Sequence, residues 1–191
     1  EDVQIKFITT DVIGYTDTSY IQNLSIVIEY PEITSTYPEG NKLGWKDKEL
    51  QVLFSQLVDN TTINSDNVTL TSSYSSSVSD SLIYNDTSGL LTISLSSSFS
   101  AVDTVTLTLK SGIKNLFGYG LDGNGDGTPG DDYNITYTTL MLGDYDTTGV
   151  LDLIDLATLV QGFEDKDYSY ELAPFTGSAP HYTVSPDSSY D

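Results

Sequence analysis

Apolar and polar residues alternate along most of the first 140 positions. Val3 to Ile8 opens the pattern, and Leu24, Ile26, Ile28 and Tyr30 continue it. Leu50, Val52 and Phe54 come next, then Val68 and Leu70, Leu82 and Tyr84, and Leu91, Ile93 and Leu95. The clearest run is Val105, Leu107 and Leu109, with Thr104, Thr106 and Thr108 between them; Tyr133, Ile135 and Tyr137 close the series. A period of two in β-branched and aromatic residues, broken by Gly, Asn and Asp, predicts half-buried strands. Strands recurring roughly every dozen residues predict a sandwich rather than βαβ units.

Residues 31–48 hold Pro31, Pro38, Gly40 and Gly44 and read as a connector, with a domain boundary nearby. After Leu142 the period changes. Leu151, Ile154, Leu156, Leu159, Val160 and Phe163 fall at helical spacing, with Asp152 placed to cap the start and Gly162 to mark the end. Beyond Glu164 the chain is rich in Tyr, Pro and Asp and shows no period. Three segments result: strands 1–30, either the remnant of a preceding domain or an assembly strand; a β-sandwich over 31–141; and a small helical module with an irregular tail over 142–191.

Charge narrows the partners. The chain carries 28 Asp and Glu against 7 Lys and no Arg, a formal charge of −21. Nucleic-acid backbones and anionic membrane surfaces require clustered cations, so both are excluded. Enough apolar and aromatic residues remain for a core, which argues against disorder. No run of apolar residues is long enough for a membrane span. There is no Cys, hence no disulfide and no thiol chemistry. The start at Glu1 and the stop at Tyr190-Asp191 read as a processed or trimmed piece of something longer. Ser and Thr supply 48 of 191 residues, a composition typical of extracellular β proteins. Asn23, Asn60, Asn67, Asn85 and Asn134 stand in Asn-X-Ser/Thr sequons, more than accident would give nine Asn in this background, and point to glycosylation on an exported surface.

Two acidic loops carry the candidate chemistry. Calcium takes six to eight hard oxygens, and a twelve-residue loop supplies them from positions 1, 3, 5, 7, 9 and 12, with Gly at position 6. In residues 144–155 those positions are Asp144, Asp146, Thr148, the Val150 carbonyl, Asp152 and Asp155, and Gly149 stands at the turn. Thr148 replaces a commoner Asp or Asn, and Asp155 a commoner Glu. The alternative is an acidic turn that merely caps a helix. In residues 122–132, Asp122, Asn124 and Asp126 have the same spacing, Gly127 follows, and the Thr128 carbonyl can serve. Position 12 is Tyr133, so the last carboxylate comes from Asp131 or Asp132. A Gly-rich hairpin loop is the competing account. With Ca2+ in both loops, the eleven residues between them allow one strand, with an ion near each end. A third cluster, Asp165, Asp167, Glu171, Asp187 and Asp191, has no complete ligand spacing and reads as a solvated acidic face unless it supports the second loop.

Carboxylate pairs of the kind glycoside hydrolysis uses are present among the many acids, but nothing singles a pair out, and other catalytic motifs are missing. His181 is the sole His, so a Ser-His-Asp triad or a multi-His metal site has one candidate at most. No phosphate-cradling Gly-Lys motif occurs. Trp45 and the many Tyr could form a sugar platform, although Tyr in strands is more often packing.

Pro31-Glu32-Ile33-Thr34-Ser35-Thr36-Tyr37-Pro38, Leu50-Gln51-Val52-Leu53-Phe54, Gly89-Leu90-Leu91-Thr92-Ile93 and Ser111-Gly112-Ile113-Lys114-Asn115-Leu116-Phe117-Gly118 resemble, in order and spacing, a bacterial Ig-like domain of the kind found in S-layer and other surface proteins. The resemblance implies an Ig-like β-sandwich that spaces or assembles without catalysis. Residues 142–163 resemble one calcium-loop-and-helix half of a dockerin; the second half lacks its motif. The expected protein is mainly β, with a small C-terminal calcium-loop/helix module. It is not an enzyme but an extracellular, calcium-stabilised unit of a prokaryotic surface layer, filament or stalk. Its expected partners are copies of itself or neighbouring surface-protein domains. A docking module for a cohesin-like partner and a carbohydrate-binding adhesin are the alternatives.

Overall fold

A computed structural model describes residues 28–74, 80–185 and 187–190. The strands expected over residues 3–9 and 24–27, the pairing of segment 1–30 and the sequon at Asn23 lie outside the described residues.

Two four-stranded sheets face each other. The first is ordered β1 (Ile33–Tyr37), β3 (Glu49–Phe54), β6 (Leu90–Leu95) and β5 (Asp80–Asn85), all antiparallel. The second is ordered β2 (Lys42–Leu43), β8 (Tyr133–Thr139), β7 (Thr104–Leu109) and β4 (Val68–Ser72). Its β2–β8 pair is parallel and the others are antiparallel. Period two becomes burial directly. Leu50, Val52 and Phe54 of β3, Leu91, Ile93 and Leu95 of β6, and Val105, Leu107 and Leu109 of β7 all point into one core, which Tyr137 completes. Each such side chain contributes roughly 1.5–3 kcal/mol of apolar burial. Tyr84 enters the same core because its hydroxyl accepts the Val58 N–H at 2.9 Å.

The segment 31–48 is not a connector. Its Pro38 and Gly40 mark a corner at which the chain leaves the first sheet after β1 and joins the second at β2. One short segment thus edges both sheets, and its strands lie inside the 31–141 span expected for the sandwich.

At the far end of β8 the chain enters the loop 140–152 and then α1 (Leu153–Asp165). Asp152 caps α1: its Oδ1 accepts the Ile154 N–H at 2.7 Å, and Asp155 returns a carboxylate to the Asp152 N–H at 2.9 Å. The helix runs past Gly162 and ends at Lys166, which is left-handed (φ 55°). The tail is also ordered: a 3-10 turn at Tyr168–Tyr170 leads to a hairpin of β9 (Phe175–Ser178) and β10 (His181–Val184). The Ala101 N–H donates to the Tyr182 carbonyl at 2.8 Å, docking the hairpin on the sandwich. A second small core of Trp45, Ala101 and Val184, with Leu142, Tyr145 and Leu172 against it, fills this junction.

Gly162 is a contact residue. A Cβ there would lie 2.6 Å from the Tyr170 Cβ. Helix propensity alone favours Gly162→Ala by up to about 1 kcal/mol. The expected outcome is the opposite sign, a loss of about 1–3 kcal/mol from overpacking, read by denaturant unfolding. A stabilised variant would show that α1 and the 3-10 turn do not touch as described.

Candidate metal sites

The 122–132 loop closes the end of the sandwich where β1 begins. The Asp122 N–H donates to the Pro31 carbonyl at 2.9 Å, and residues 122 and 131 form a β-bridge. Carboxylate oxygens of Asp122, Asp126 and Asp131 lie within 4.8 Å of one another. Asp132 is turned away and accepts the Ser111 N–H at 2.7 Å, so Asp131 is the residue brought to the cluster. Asn124 accepts the Asp126 N–H at 2.9 Å, and the exposed Thr128 donates its N–H to Asp126 at 2.8 Å. Asp122 is buried, but both of its oxygens are engaged: Oδ1 accepts from Gly125 and Asp126, and Oδ2 from Gly127. These amides offset the burial without an ion.

The 144–155 loop differs at one atom. Carboxylate oxygens of Asp144, Asp146 and Asp155 also lie within 4.8 Å of one another. Asp144 is 1 % exposed; its Oδ2 accepts the Gly149 N–H at 2.8 Å, while its Oδ1 is buried with no hydrogen-bond partner. A buried carboxylate oxygen without a donor is unfavourable and fits a cation. Burial pushes the Asp144 carboxyl above its ordinary value, with the Asp155 and Asp146 charges adding to it. Asp155 is held below its ordinary value, first by the Asp152 N–H and also by those of Tyr145 and Asp146. Gly149 supplies the turn with φ +90°, a region side chains disfavour. Asp146 accepts the Thr148 N–H at 3.1 Å, and the Thr148 hydroxyl donates to the Val150 carbonyl at 3.3 Å. Asp152 uses one oxygen as the helix cap. The three carboxylates, gathered within 4.8 Å of one another with one buried oxygen unpartnered, are hard donors of the kind Ca2+ takes.

The sandwich grips this loop directly. Lys42 of β2 donates its ammonium to the Thr148 carbonyl at 2.7 Å. Trp45 packs edge-on against Tyr145 at 5.6 Å, and the Tyr145 hydroxyl donates to the Tyr170 carbonyl. Lys46 lies 4.5 Å from the Tyr170 ring centre and 5.5 Å from that of Tyr145, within cation–π range. Lys42 and Lys46 were not among the expected functional residues, and Trp45 was considered only as a sugar platform. Their short stretch of chain looks like a linker, and its partners lie about a hundred residues away. Trp45 is 4 % exposed, which withdraws it as a sugar platform.

Two facing sheets ordered β1-β3-β6-β5 and β2-β8-β7-β4, with the first segment split between them, match the residues 28–139 that fit the family model described as a bacterial Ig-like domain. The chain belongs to that family. Similar solved structures include the N-terminal part of the bacterial S-layer protein SbsC, with 17% identity over 56% of this chain and 23% of that chain (TM-score 0.39). Another is SbsC domains 1–6, with 17% identity over 56% of this chain and 13% of that one (TM-score 0.39). A third is PcoC, a methionine-rich copper resistance protein from Escherichia coli, with 14% identity over 58% of this chain and 99% of that one (TM-score 0.38). The chain thus spans less than a quarter of the S-layer structures. No curated protein matches the sequence. Among the described residues no helix is long and apolar enough to cross a membrane.

The Ig-like domain stops at residue 139, and the second acidic loop begins five residues later. Its sequons are unequal. Asn60, Asn85 and Asn134 are exposed, whereas Asn67 is partly buried and donates its amide to the Thr62 carbonyl at 2.9 Å. His181 faces the Ala101 carbonyl through Nδ1 at 3.2 Å and stacks on Tyr74, a structural role. The expected acidic face of the tail needs correction at Glu171, which is 1 % exposed.

Proposed function

We propose that the chain is a non-enzymatic structural unit of a prokaryotic extracellular or cell-surface assembly, in which Ca2+ in the 144–155 loop braces the Ig-like domain against the C-terminal module. One atom carries the reading: the buried, unpartnered Asp144 Oδ1 beside Asp146 and Asp155. The Lys42 and Trp45 contacts give the brace something to hold. The 122–132 loop serves as a second, weaker calcium site at the opposite end of β8, since its amides already satisfy Asp122. Exposed Asn60, Asn85 and Asn134 are the sequons suited to carry glycan.

Thermal unfolding in calcium and in chelator tests the brace. Metal that binds only the native state adds RT ln(1 + [L]/Kd), about 2.7 kcal/mol at a hundredfold excess over Kd. The melting temperature is expected to rise accordingly. Identical melting in both buffers would remove calcium from the proposal.

A second reading, docking through residues 142–191, is favoured by the orientation of α1. Asp155 and Gly162 are its buried residues, while Leu153, Ile154, Leu156, Val160 and Phe163 are exposed. Exposed apolar residues in this number on one short helix mark a contact surface. A pull-down with a cohesin-type receptor, with and without chelator, separates the readings. Binding of a monomeric receptor supports docking, and calcium-dependent self-association supports the assembly unit.

A further inference from the structure

We propose that the crevice between α1 and the C-terminal tail is a socket for a lysine or arginine side chain presented by a separate, positively charged protein. The crevice encloses about 470 Å³ and is walled by Leu159, Val160, Phe163, Leu172 and Tyr190, with Glu171 also lining it. Glu171 is 1 % exposed. Its Oε2 accepts the Asp187 N–H at 3.2 Å, and its Oε1 is buried with no hydrogen-bond partner. An apolar cleft with one unpaired carboxylate oxygen is complementary to a long cationic side chain. The walls take the methylene stem, and the carboxylate takes the head in a charge-assisted hydrogen bond. A metal ion is a poor alternative, because among the described residues no group of three or more His, Cys, Asp or Glu at metal-ligand spacing includes Glu171.

The surroundings fit a protein ligand rather than a small cation. Val160 and Phe163 line the crevice from α1, Leu156 stands one turn before Val160, and all three are exposed. A desolvated charged anchor framed by apolar contacts is the usual build of an interface hot spot. The chain's formal charge of −21, with 7 Lys and no Arg, disfavours a second copy as the occupant and favours a basic one.

This inference rests on the docking reading of residues 142–191, and its test is separable from that reading. The calcium-loaded full chain, labelled with nitrogen-15, is titrated with Nα-acetyl-lysine methylamide and with Nα-acetyl-norleucine methylamide, which has the same stem without the ammonium. The lysine compound is expected to shift the amides of residues 159–163 and 171–173 with at least tenfold tighter binding than norleucine. Glu171→Gln is expected to reduce it to the norleucine level with a melting temperature equal to or above the wild type's. Equal binding of both compounds, or no shift with either, overturns the socket, and this wild-type comparison decides even if the variant folds poorly. A cohesin-type receptor that binds the chain while the lysine compound is ignored would refute the socket and leave docking standing. A dimer seen by sedimentation and lost in Glu171→Gln would assign the crevice to a second copy and overturn the separate partner.

Discussion

Asp144→Asn is expected to weaken calcium binding at the 144–155 loop by more than about 100-fold, because loss of a mere supporting partner already costs roughly 10–100-fold at metal sites. The same substitution is expected to act with the opposite sign once calcium is chelated. Without metal, the ionised Asp144 is buried beside Asp146 and Asp155 with one oxygen unpartnered. An amide keeps the shape and drops the charge, so the variant should match or exceed the wild type in chelator and fall below it in calcium. The pH dependence follows the same sign. The Asp144 carboxyl titrates above its unfolded value, so the metal-free fold binds that proton more tightly than the unfolded chain does. Its contribution is present below the unfolded value and is lost as pH rises through the raised folded one. Asp155, held low, works in the other direction and gives up its contribution only as pH falls through its depressed value. Isothermal titration calorimetry with thermal unfolding in the two buffers reads all of this. An unchanged calcium affinity, or a variant less stable in both buffers, would sink the site.

The sandwich was legible because its inward positions repeat every second residue and few polar groups interrupt them. Val105, Leu107 and Leu109 by themselves define a buried face of β7. The ligand spacing of the two loops was equally legible, being local. What local pattern does not encode is direction. Apolar residues at helical spacing in α1 identify a helix, but they face outward, because the loop-closing Asp155 and the Tyr170 contact at Gly162 orient the opposite face inward. Asp131 rather than Asp132 stands in the carboxylate cluster, and Asp132 is held by Ser111, a residue outside the loop. The hairpin of β9 and β10 escaped notice because each strand has only four residues and their buried contacts come from Ala101 and Trp45, far away in sequence.

The placement of the loops would give the proposed calcium brace its mechanics. β8 has seven residues, roughly 23 Å of strand at ~3.3 Å each, and separates the 122–132 loop from the 144–155 loop. One loop is tied to Pro31 where the domain begins, the other to Lys42 and Trp45 where the module attaches. Carboxylates concentrated at the two ends of one strand turn the chain's excess negative charge into two points that a divalent ion can hold.

Trp45→Ala should then cost about 3–5 kcal/mol, the usual range for removing a large buried aromatic ring. The loss should be local. Trp45 stands in the junction core with Ala101, Val184, Leu142, Tyr145 and Leu172, apart from the cluster formed by Leu50, Leu91 and Leu107. Hydrogen exchange is therefore expected to speed up over residues 142–185 while β3, β6 and β7 remain protected. Trp45→Phe is the control: it keeps a ring in the junction and removes the indole N–H, which is buried without a partner. Its cost should be far smaller, because relief of an unsatisfied donor partly offsets the lost packing. Calcium should slow exchange in the module of the wild type and have much less effect there in Trp45→Ala, where the brace no longer meets the sandwich. Uniform acceleration across both sheets would place Trp45 in the general core, and the joint would lose its basis.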